Sequence, residues 1–309
     1  MKFKIDIALP KFPFEINHNS KVTFLGSCFS DEIALKFNNA GWNVCSNPFG
    51  TIFHPSPMAD CLFGDVFRVF KAEKSSCFSS WSVAHTLKTN SESDLLSELN
   101  QRNDEFQAIL KESEVLFLTF GTSFGYRLKE DNKIVANCHK EAASSFVKEL
   151  SEANDMVNQW QRVIQYLISL NPKLKIVCTI SPVRHIKDGV IENNFSKARL
   201  FELVHHLIQC ENVFYFPSYE IVMDELRDYR FFKKDLVHPN EMAVDYVWEQ
   251  LKNCFFSIKT QEITNAVSKF KLFEQHRVLS TTQSEINTFL MEVEERKRKL
   301  LELYPSIQL

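Results

Sequence analysis

The stretch FLGSCFSDE, residues 24–32, decides the fold, because an apolar run turns there into a helical pattern. Residues 22–26, VTFLG, have the composition of a buried strand, and the pattern from Ser30 to Asn39 is typical of a helix. A strand that leads directly into a helix is the basic unit of an α/β fold. Between the two elements, Ser27 and Cys28 place a hydroxyl beside a thiol.

Further apolar runs follow along the chain, and each closes on a small or polar residue. They lie at residues 115–121, 174–180 and 212–216. Their apolar residues are continuous rather than alternating, which is typical of parallel strands covered on both faces. Helical patterns occupy residues 144–170, 195–210 and 239–256. We therefore predict an α/β fold, a three-layer αβα sandwich with a mostly parallel central sheet.

The C-terminal part of the chain has a different pattern. Residues 262–279 and 283–304 differ from the rest of the chain; the second segment is an amphipathic helix, and Ser-Thr-Thr at 280–282 supplies a break and an N-cap. We predict one α/β domain over residues 1–258 and a C-terminal helical extension over 259–309. The extension is expected to pack on the core or on a partner chain, which makes a homodimer possible.

Composition and charge exclude several classes of function. The 309 residues carry a net charge of −3, which gives no general attraction to nucleic acid. No window approaches the ~20 apolar residues of a membrane span, and the N-terminus lacks the apolar core of a signal peptide, so we expect a cytoplasmic protein. The 8 cysteines form no CxxC pair, so neither a metal site nor a redox dithiol is indicated, and we expect no cofactor.

Polar clusters directly follow the predicted strands. They are Ser27-Cys28 after the first strand, Thr122-Ser123 after the second and Arg184-His185 after the third. Ligands of open α/β sheets bind outside the carboxyl ends of the strands, where these clusters meet. The sequence therefore predicts a site at this edge of the sheet.

The Ser27-Cys28 pair has two interpretations. At a helix start it lies beside unpaired N–H groups and the positive end of the helix dipole, which would lower a thiol pKa and provide an oxyanion hole. Alternatively, Ser27 is only an N-cap and Cys28 only a buried side chain. The motif alone leaves both open.

The segment DLVHPNE, residues 235–241, supplies a potential base. Asp235, three residues before His238, is placed to bond one imidazole nitrogen and leave the other free. The structural alternative is a helix-entry loop in which Asp235 serves the backbone and His238 faces solvent.

Taken together, the motifs resemble a known family. They are GSCFS at 26–30, NPFGTIFHP at 47–55, FGTSFGYR at 120–127, NCHK at 137–140, SPVRH at 181–185 with NNFSKARL after it, and DLVHPNEMAVDYVWE at 235–249. In this order they resemble the GSCFA-domain family, a branch of the SGNH (GDSL) hydrolase superfamily, over roughly residues 20–255. The resemblance implies a flavodoxin-like fold of the SGNH-hydrolase type and an esterase or acyltransferase chemistry.

The resemblance also implies catalytic roles. Where the superfamily has Gly-Asp-Ser, this chain has Gly26-Ser27-Cys28, so Cys28 takes the place of the nucleophile. Ser27 stays an alternative, because a shift of the turn by one residue would present its hydroxyl instead. His238 takes the place of the general base, and Asp235 that of the carboxylate that orients it.

Oxyanion and substrate contacts are implied in the same way. The N–H of Cys28 is one expected donor, and Gly50 matches the second-block glycine, in a loop that begins at Asn47. In the third block the superfamily has Gly-x-Asn, but Thr122 and Ser123 stand here. Either one of their hydroxyls or the amide of Asn137 is expected to replace the missing donor.

Other residues of the motifs are candidates for substrate binding. Arg184 and His185 follow a strand, and a guanidinium there suits an anionic or sugar-acid substrate, although a pairing of Arg184 with Asp188 or Glu192 is the structural alternative. His139 either lines the pocket or faces solvent.

The expected partner is thus a small-molecule or glycan ester, with an O-acetyl or other acyl group of a carbohydrate as the favoured substrate. A non-catalytic module that binds a carbohydrate or acidic ligand is the alternative. It is favoured by the Cys in place of Ser and by the missing Gly-x-Asn amide.

Overall fold

The computed structural model describes residues 4–64, 67–73, 76–275 and 283–309. The strands are β1 (Val22–Gly26), β2 (Cys45–Ser46), β3 (Val69–Lys71), β4 (Phe78–Ser80), β5 (Val115–Phe120), β6 (Phe124–Leu128), β7 (Phe146–Leu150), β8 (Lys175–Ile180) and β9 (Val213–Tyr215). The α-helices are α1 (Cys28–Asn39), α2 (Pro55–Phe63), α3 (Glu92–Glu112), α4 (Ala153–Leu170), α5 (Val190–Leu207), α6 (Ser218–Glu220), α7 (Glu241–Phe255), α8 (Ile258–Glu274) and α9 (Gln283–Leu303).

The central sheet is parallel throughout. Its strand order is β2-β1-β5-β8-β9, so the four strands predicted from apolar runs are direct neighbours. Counted within this sheet, the order is 2-1-3-4-5, that of flavodoxin-like folds, whose ligands bind where the order reverses, between β1 and β5. The predicted α/β fold is confirmed.

Helices cover both faces of the sheet. On one face α1 and α7 pack around Phe24, Phe37 and Val247. On the other face α2, α4 and α5 enclose a second core around Trp160 and Phe120, whose rings meet edge to face at 4.8 Å. Two separate cores with a sheet between them make the three-layer αβα sandwich that the sequence predicts.

One predicted helix is partly wrong. Only Ala153–Leu170 of residues 144–170 is an α-helix, whereas Phe146–Leu150 forms β7 and pairs antiparallel with Phe124–Leu128. This hairpin depends on contacts between distant segments, so the local pattern did not reveal it. Its pair of strands lies beside the carboxyl edge of the central sheet.

Other helix boundaries moved as well. α1 begins at Cys28 rather than Ser30, and α5 begins at Val190, ahead of the predicted start. α7 begins at Glu241, because the Asn240 side chain caps it by accepting the N–H of Ala243.

The C-terminal helices pack together and touch the first helix layer. Ile307, after α9, contacts Val267 of α8 in a small apolar cluster. The N–H of Gln308 donates to the Gly41 carbonyl at 2.8 Å, and Lys271 Nζ donates to the Asn38 carbonyl at 2.9 Å. The boundary at residue 258 and the homodimer stay predictions, and the Ser-Thr-Thr cap at 280–282 lies outside the described residues.

None of the helices in the described ranges has the length and apolarity needed to cross a bilayer.

Candidate active site

The turn after β1 has a backbone that only glycine tolerates. Gly26 has φ 146°, and a Cβ there would lie 2.3 Å from the Thr119 carbonyl oxygen of β5. The next N–H, of Ser27, donates to the same oxygen at 3.1 Å. Close contact with β5 therefore fixes where Ser27 and Cys28 point.

Asn47 holds this turn rather than a substrate. Its Oδ1 accepts the Gly26 N–H at 2.7 Å, and its Nδ2 donates to Asp31 Oδ1 at 2.8 Å. Asp31 also accepts the Ser46 hydroxyl at 2.7 Å. Since both ends of the amide are engaged, Asn47 serves to join β1, β2 and the first turn of α1.

Ser27 and Cys28 lie in different surroundings. Ser27 is 1% exposed, occupies the N-cap position of α1 without a side-chain cap bond, and its Oγ has no hydrogen-bond partner in the part of the chain that the structure describes. Cys28 is the first residue of α1 and is partly buried.

The pKa of the Cys28 thiol is raised, not lowered as the helix position led us to expect. Burial is the main cause, and the carboxylates of Asp31 and Glu32 add to it. The N–H groups of Phe29 and Cys28 at the helix start act in the opposite direction, but less strongly. The helix N-terminus alone therefore does not ionise this thiol.

His238 and Asp235 form the pair that their spacing predicts. His238 Nδ1 lies 2.8 Å from Asp235 Oδ2, and Asp235 Oδ1 accepts the N–H groups of Val237 and His238. These three contacts lower the pKa of Asp235 to about 2, the backbone N–H groups most of all. Asp235 therefore serves both the backbone and the imidazole, and it leaves Nε2 free.

The loop that carries His238 is held next to α1 by an ion pair. Lys233 Nζ pairs with Glu32 at 3.0 Å, and the Lys233 N–H donates to the His238 carbonyl at 2.7 Å. His238 also lies near enough to His185 to contribute to lowering its pKa. The loop thus brings the Asp235–His238 pair to the carboxyl edge of the sheet.

Thr122 and Ser123 lie at this edge, but their polar groups bond to α5. Ser123 Oγ donates to the Ser196 carbonyl at 2.9 Å, and the Ser123 N–H donates to Ser196 Oγ at 2.8 Å. Thr122 Oγ1 lies 2.9 Å from Ser196 Oγ and accepts the Phe124 N–H. The expected oxyanion role of these hydroxyls is not apparent in this geometry, which instead joins β5 to α5.

Of the other expected donors, the Gly50 N–H is engaged locally, and Asn137 is held in its loop through its amide oxygen rather than through its donor N–H groups. The Gly50 N–H donates to the Asn47 carbonyl at 2.8 Å within a turn. Asn137 Oδ1 accepts the His139 N–H at 2.7 Å, and His139 Nε2 lies 2.8 Å from the Ser80 carbonyl. His139 is therefore a fixed part of the loop and packs against Trp81 and Phe70.

Arg184 and His185 have few partners. The Arg184 guanidinium contacts Met223 Sδ at 3.5 Å, and among the described residues no carboxylate pairs with it. Asp188 pairs instead with Lys148 at 2.5 Å. Burial, with Lys197 and His238 nearby, lowers the pKa of His185 to about 4, and its buried Nε2 has no hydrogen-bond partner within the described ranges.

A cleft of about 760 Å³ opens beside these residues. Aromatic side chains line it, and Thr122, Asn137 and His185 contribute polar atoms; the rings belong to Phe53, Phe124, Tyr126 and Phe146. The β6–β7 hairpin forms one wall of the cleft. Because the sequence analysis did not predict this hairpin, it could not predict the cleft.

Sequence reasoning missed the inward face of α5. Asn193, Ser196 and Lys197 are each 2% exposed, and Lys197 Nζ donates to the carbonyls of Gly121 and Ser181. Polar residues at a helical spacing of three and four, next to the apolar Leu200, were the available signal.

Within the described ranges, no three His, Cys, Asp or Glu side chains are grouped as a metal ion requires.

Comparisons with known proteins agree with the motifs. A model of the GSCFA family matches residues 21–251. No curated protein matches the chain.

Three solved structures are similar in part. The lipase Lip_vut3 from a goat rumen metagenome shares 9% identity at a TM-score of 0.39, over 77% of this chain and 99% of that one. The acetyl xylan esterase Est2A from Butyrivibrio proteoclasticus shares 10% at 0.40, over 76% and 63%. A carbohydrate esterase of family 3 from Talaromyces cellulolyticus shares 8% at 0.36, over 80% and 99%. Likeness at this level says nothing of the substrate.

Proposed function

This chain belongs to the GSCFA family, and on that premise we propose that it is an esterase or acyltransferase of the SGNH hydrolase type. The observation that carries the proposal is the Asp235–His238 pair, with Nδ1 and Oδ2 2.8 Å apart, at the sheet edge that also holds Cys28. An imidazole whose Nδ1 is held by a carboxylate has its Nε2 available as a base.

Cys28 is the proposed nucleophile. Its side chain is partly exposed, whereas Ser27 is 1% exposed and its hydroxyl has no hydrogen-bond partner among the described residues. A thiol is also intrinsically the stronger nucleophile once it is ionised.

The reaction proceeds in two steps. His238 takes the proton of the Cys28 thiol as the sulfur attacks the ester carbonyl, and it returns that proton to the alcohol oxygen as the C–O bond breaks. A thioester on Cys28 results. Water or another alcohol, deprotonated by His238, then attacks the thioester, and the thiolate leaves. The first acceptor gives hydrolysis, and the second gives acyl transfer.

The start of α1 is the proposed oxyanion site. The N–H groups of Cys28 and Phe29 lack intrahelical acceptors, as the first N–H groups of every helix do, and they face the sulfur. This support matters because Gly50, Thr122 and Ser123 are engaged elsewhere.

The proposed substrate is an ester on a carbohydrate, with an O-acetyl group as the favoured acyl part. The aromatic cleft of about 760 Å³ is large enough for a sugar ring. Arg184, which has no carboxylate partner among the described residues, suits an acidic group on that sugar.

The test is hydrolysis of p-nitrophenyl acetate and of O-acetylated sugars by the wild type and by Cys28→Ala, Ser27→Ala and His238→Ala. We expect the Cys28 and His238 variants to lose roughly 10²-fold or more in kcat, the usual contribution of a nucleophile or general base, while Ser27→Ala keeps most of its activity. Full activity of His238→Ala would rule out the mechanism.

A second candidate, the ligand-binding module, is favoured by the raised pKa of the Cys28 thiol. In that case no ester is turned over, and isothermal titration with acetylated or acidic sugars shows binding that Arg184→Ala weakens. Turnover that depends on Cys28 would exclude it.

A further inference from the structure

The aromatic cleft of about 760 Å³ is lined by more cations than carboxylates. Of the described residues that line it, three are lysines and two are acids: Lys140, Lys148, Lys187, Glu141 and Asp188. Arg184 is not among these lining residues, so a ligand inside the cleft meets the lysines instead.

Lys148 is part of the wall of the cleft. Its Nζ lies 4.7 Å from the centroid of the Phe124 ring and pairs with Asp188 at 2.5 Å. Lys148 belongs to β7, and Asp188 belongs to the segment that follows β8. This ion pair therefore links the hairpin to the opposite side of the cleft, and it keeps the cleft formed before a ligand enters.

Lys140 and Lys187 have no such partner. In the part of the chain that the structure describes, no carboxylate forms an ion pair with either of them. The other acid of the lining, Glu141, accepts the N–H of Glu73 at 3.0 Å, and Glu73 does not line the cleft. Two ammonium groups that border the same apolar cavity give it a positive potential, which an anionic ligand would satisfy.

The backbone of Lys140 is in a conformation that favours glycine. His139 has φ 50° and Lys140 has φ 64°, and two consecutive left-handed residues other than glycine are uncommon. The loop holds them there, because Asn137 Oδ1 accepts the His139 N–H and His139 Nε2 lies 2.8 Å from the Ser80 carbonyl. A lysine at a position that suits glycine indicates that its side chain serves something other than local stability.

Two uncharged polar groups also border the cleft. Nε2 of His185 is buried and lacks a hydrogen-bond partner among the described residues, and the His185 ring meets Phe53 edge to face at 5.2 Å. Asn137 is held through its Oδ1, which leaves its Nδ2 as a donor. Sugar hydroxyls pair with groups of this kind, while aromatic rings pack against the apolar face of a sugar ring.

We propose that this cleft binds an anionic sugar, one that carries a carboxylate or a phosphate, and that Lys140 and Lys187 bind its charge. Asn137 and His185 are placed to bond its hydroxyls. The inference rests on the proposed function for the claim that this sugar belongs to the ester substrate. Binding itself is measured without turnover.

The experiment is a ligand-observed NMR titration of the full chain with glucuronic acid, glucose 6-phosphate and glucose. We expect Lys140→Met and Lys187→Met each to weaken the binding of the anionic sugars roughly tenfold, the usual effect of one hydrogen bond to a charged group, and to leave glucose unaffected. Lys173→Met is the matched control, because Lys173 is exposed and lies in the turn before β8, at the opposite edge of the sheet.

Lys140→Gly separates binding from folding. Since φ 64° suits glycine, this variant should keep the wild-type melting temperature or exceed it, and yet bind the anionic sugars roughly tenfold more weakly. Lys140→Arg, which keeps the positive charge, should retain most of the binding.

A wild type that binds the anionic sugars no better than glucose, or binds none of the three at millimolar concentration, overturns the inference. Unchanged affinities in Lys140→Gly and Lys187→Met overturn it as well. Tighter binding of glucuronic acid than of glucose 6-phosphate assigns the cleft to sugar acids, and the reverse assigns it to sugar phosphates.

Turnover of p-nitrophenyl acetate is scored separately, because this ester carries no sugar and should be cleaved equally by the lysine variants. If it is cleaved but the chain shows no preference for anionic sugars, the inference fails and the proposed function stands. If anionic sugars bind through the lysines but no ester is cleaved, the function fails and the binding site stands.

Discussion

At the scale of single residues, short-range spacing explains why some site residues were predictable. Asp235 and His238 are three residues apart on one loop, so their bond follows from the local backbone. The close backbone contact of Gly26 with Thr119, by contrast, was not predicted from the sequence and became visible only in the structure. The raised pKa of the Cys28 thiol was not predictable either. It depends mainly on burial, which only packing creates, and to a smaller extent on the carboxylates of Asp31 and Glu32.

Asp235→Asn tests the orienting role of this carboxylate. The pKa of Asp235 is lowered to about 2, so Asp235 stays ionised across the assay range, and its own protonation should not limit the proposed activity above about pH 4. Removing its charge should lower kcat by roughly 10²-fold with a smaller change in KM, because the imidazolium of His238 loses its partner. Stopped-assay kinetics from pH 5 to 9 measure this.

The control is Asp228→Asn, an exposed acid on the same loop that bonds to Arg230 instead. We expect its kinetics to match the wild type. Equal losses in the two variants would mean that the loop needs its charges only to fold, and the orienting role would be abandoned.

At the scale of elements, His54 shows how a buried neutral imidazole fixes a helix start. Its Nδ1 accepts the Ser56 N–H at 3.0 Å and so caps α2, while Nε2 lies 3.1 Å from Ser151 Oγ, just after β7. Burial lowers the pKa of His54 to about 4, with a smaller contribution from Arg127. The cap thus works only while the ring is uncharged.

His54→Asn should therefore flatten the pH dependence of stability. In the unfolded chain a histidine binds a proton near pH ~6.5, but in the fold His54 does so only near pH 4, so stability falls as pH drops through this window. We expect the free energy of unfolding of the wild type to fall by roughly 3 kcal/mol more than that of the variant between pH 6.5 and 4. Asn keeps a capping oxygen but does not titrate.

Urea unfolding at the two pH values measures the difference. His205→Asn, at an exposed position on α5, should keep the wild-type pH dependence. The same slope in His54→Asn and the wild type would show that His54 does not control this transition.

At the scale of the whole molecule, the C-terminal helices leave an apolar surface. Val293 of α9 is buried, but Leu290 and Met291 are 54% and 74% exposed. We propose that this side of α9 joins two copies of the chain. Light scattering at micromolar concentration should give twice the chain mass of 36.0 kDa for the wild type, and a Leu290→Glu, Met291→Glu variant should approach the single-chain mass.

Glu294→Gln is the control on the same helix, and it should leave the mass unchanged. A wild type that stays at the single-chain mass across the concentration range would refute the dimer. Esterase assays on the same samples show whether assembly matters to the candidate site, whose residues all come from the chain ahead of α8.

The sequence by itself determined the α/β class, the four strands with continuous apolar runs, the family and the Asp235–His238 pair. Each depends on periodicity or on spacing within a few residues, which backbone geometry converts directly into structure. Only the tertiary structure decided that Thr122 and Ser123 bond to Ser196, that Phe146–Leu150 is a strand, and that Lys197 ends in the site. Those outcomes depend on which distant segments become neighbours and on how completely packing excludes water. Local sequence patterns predict neither.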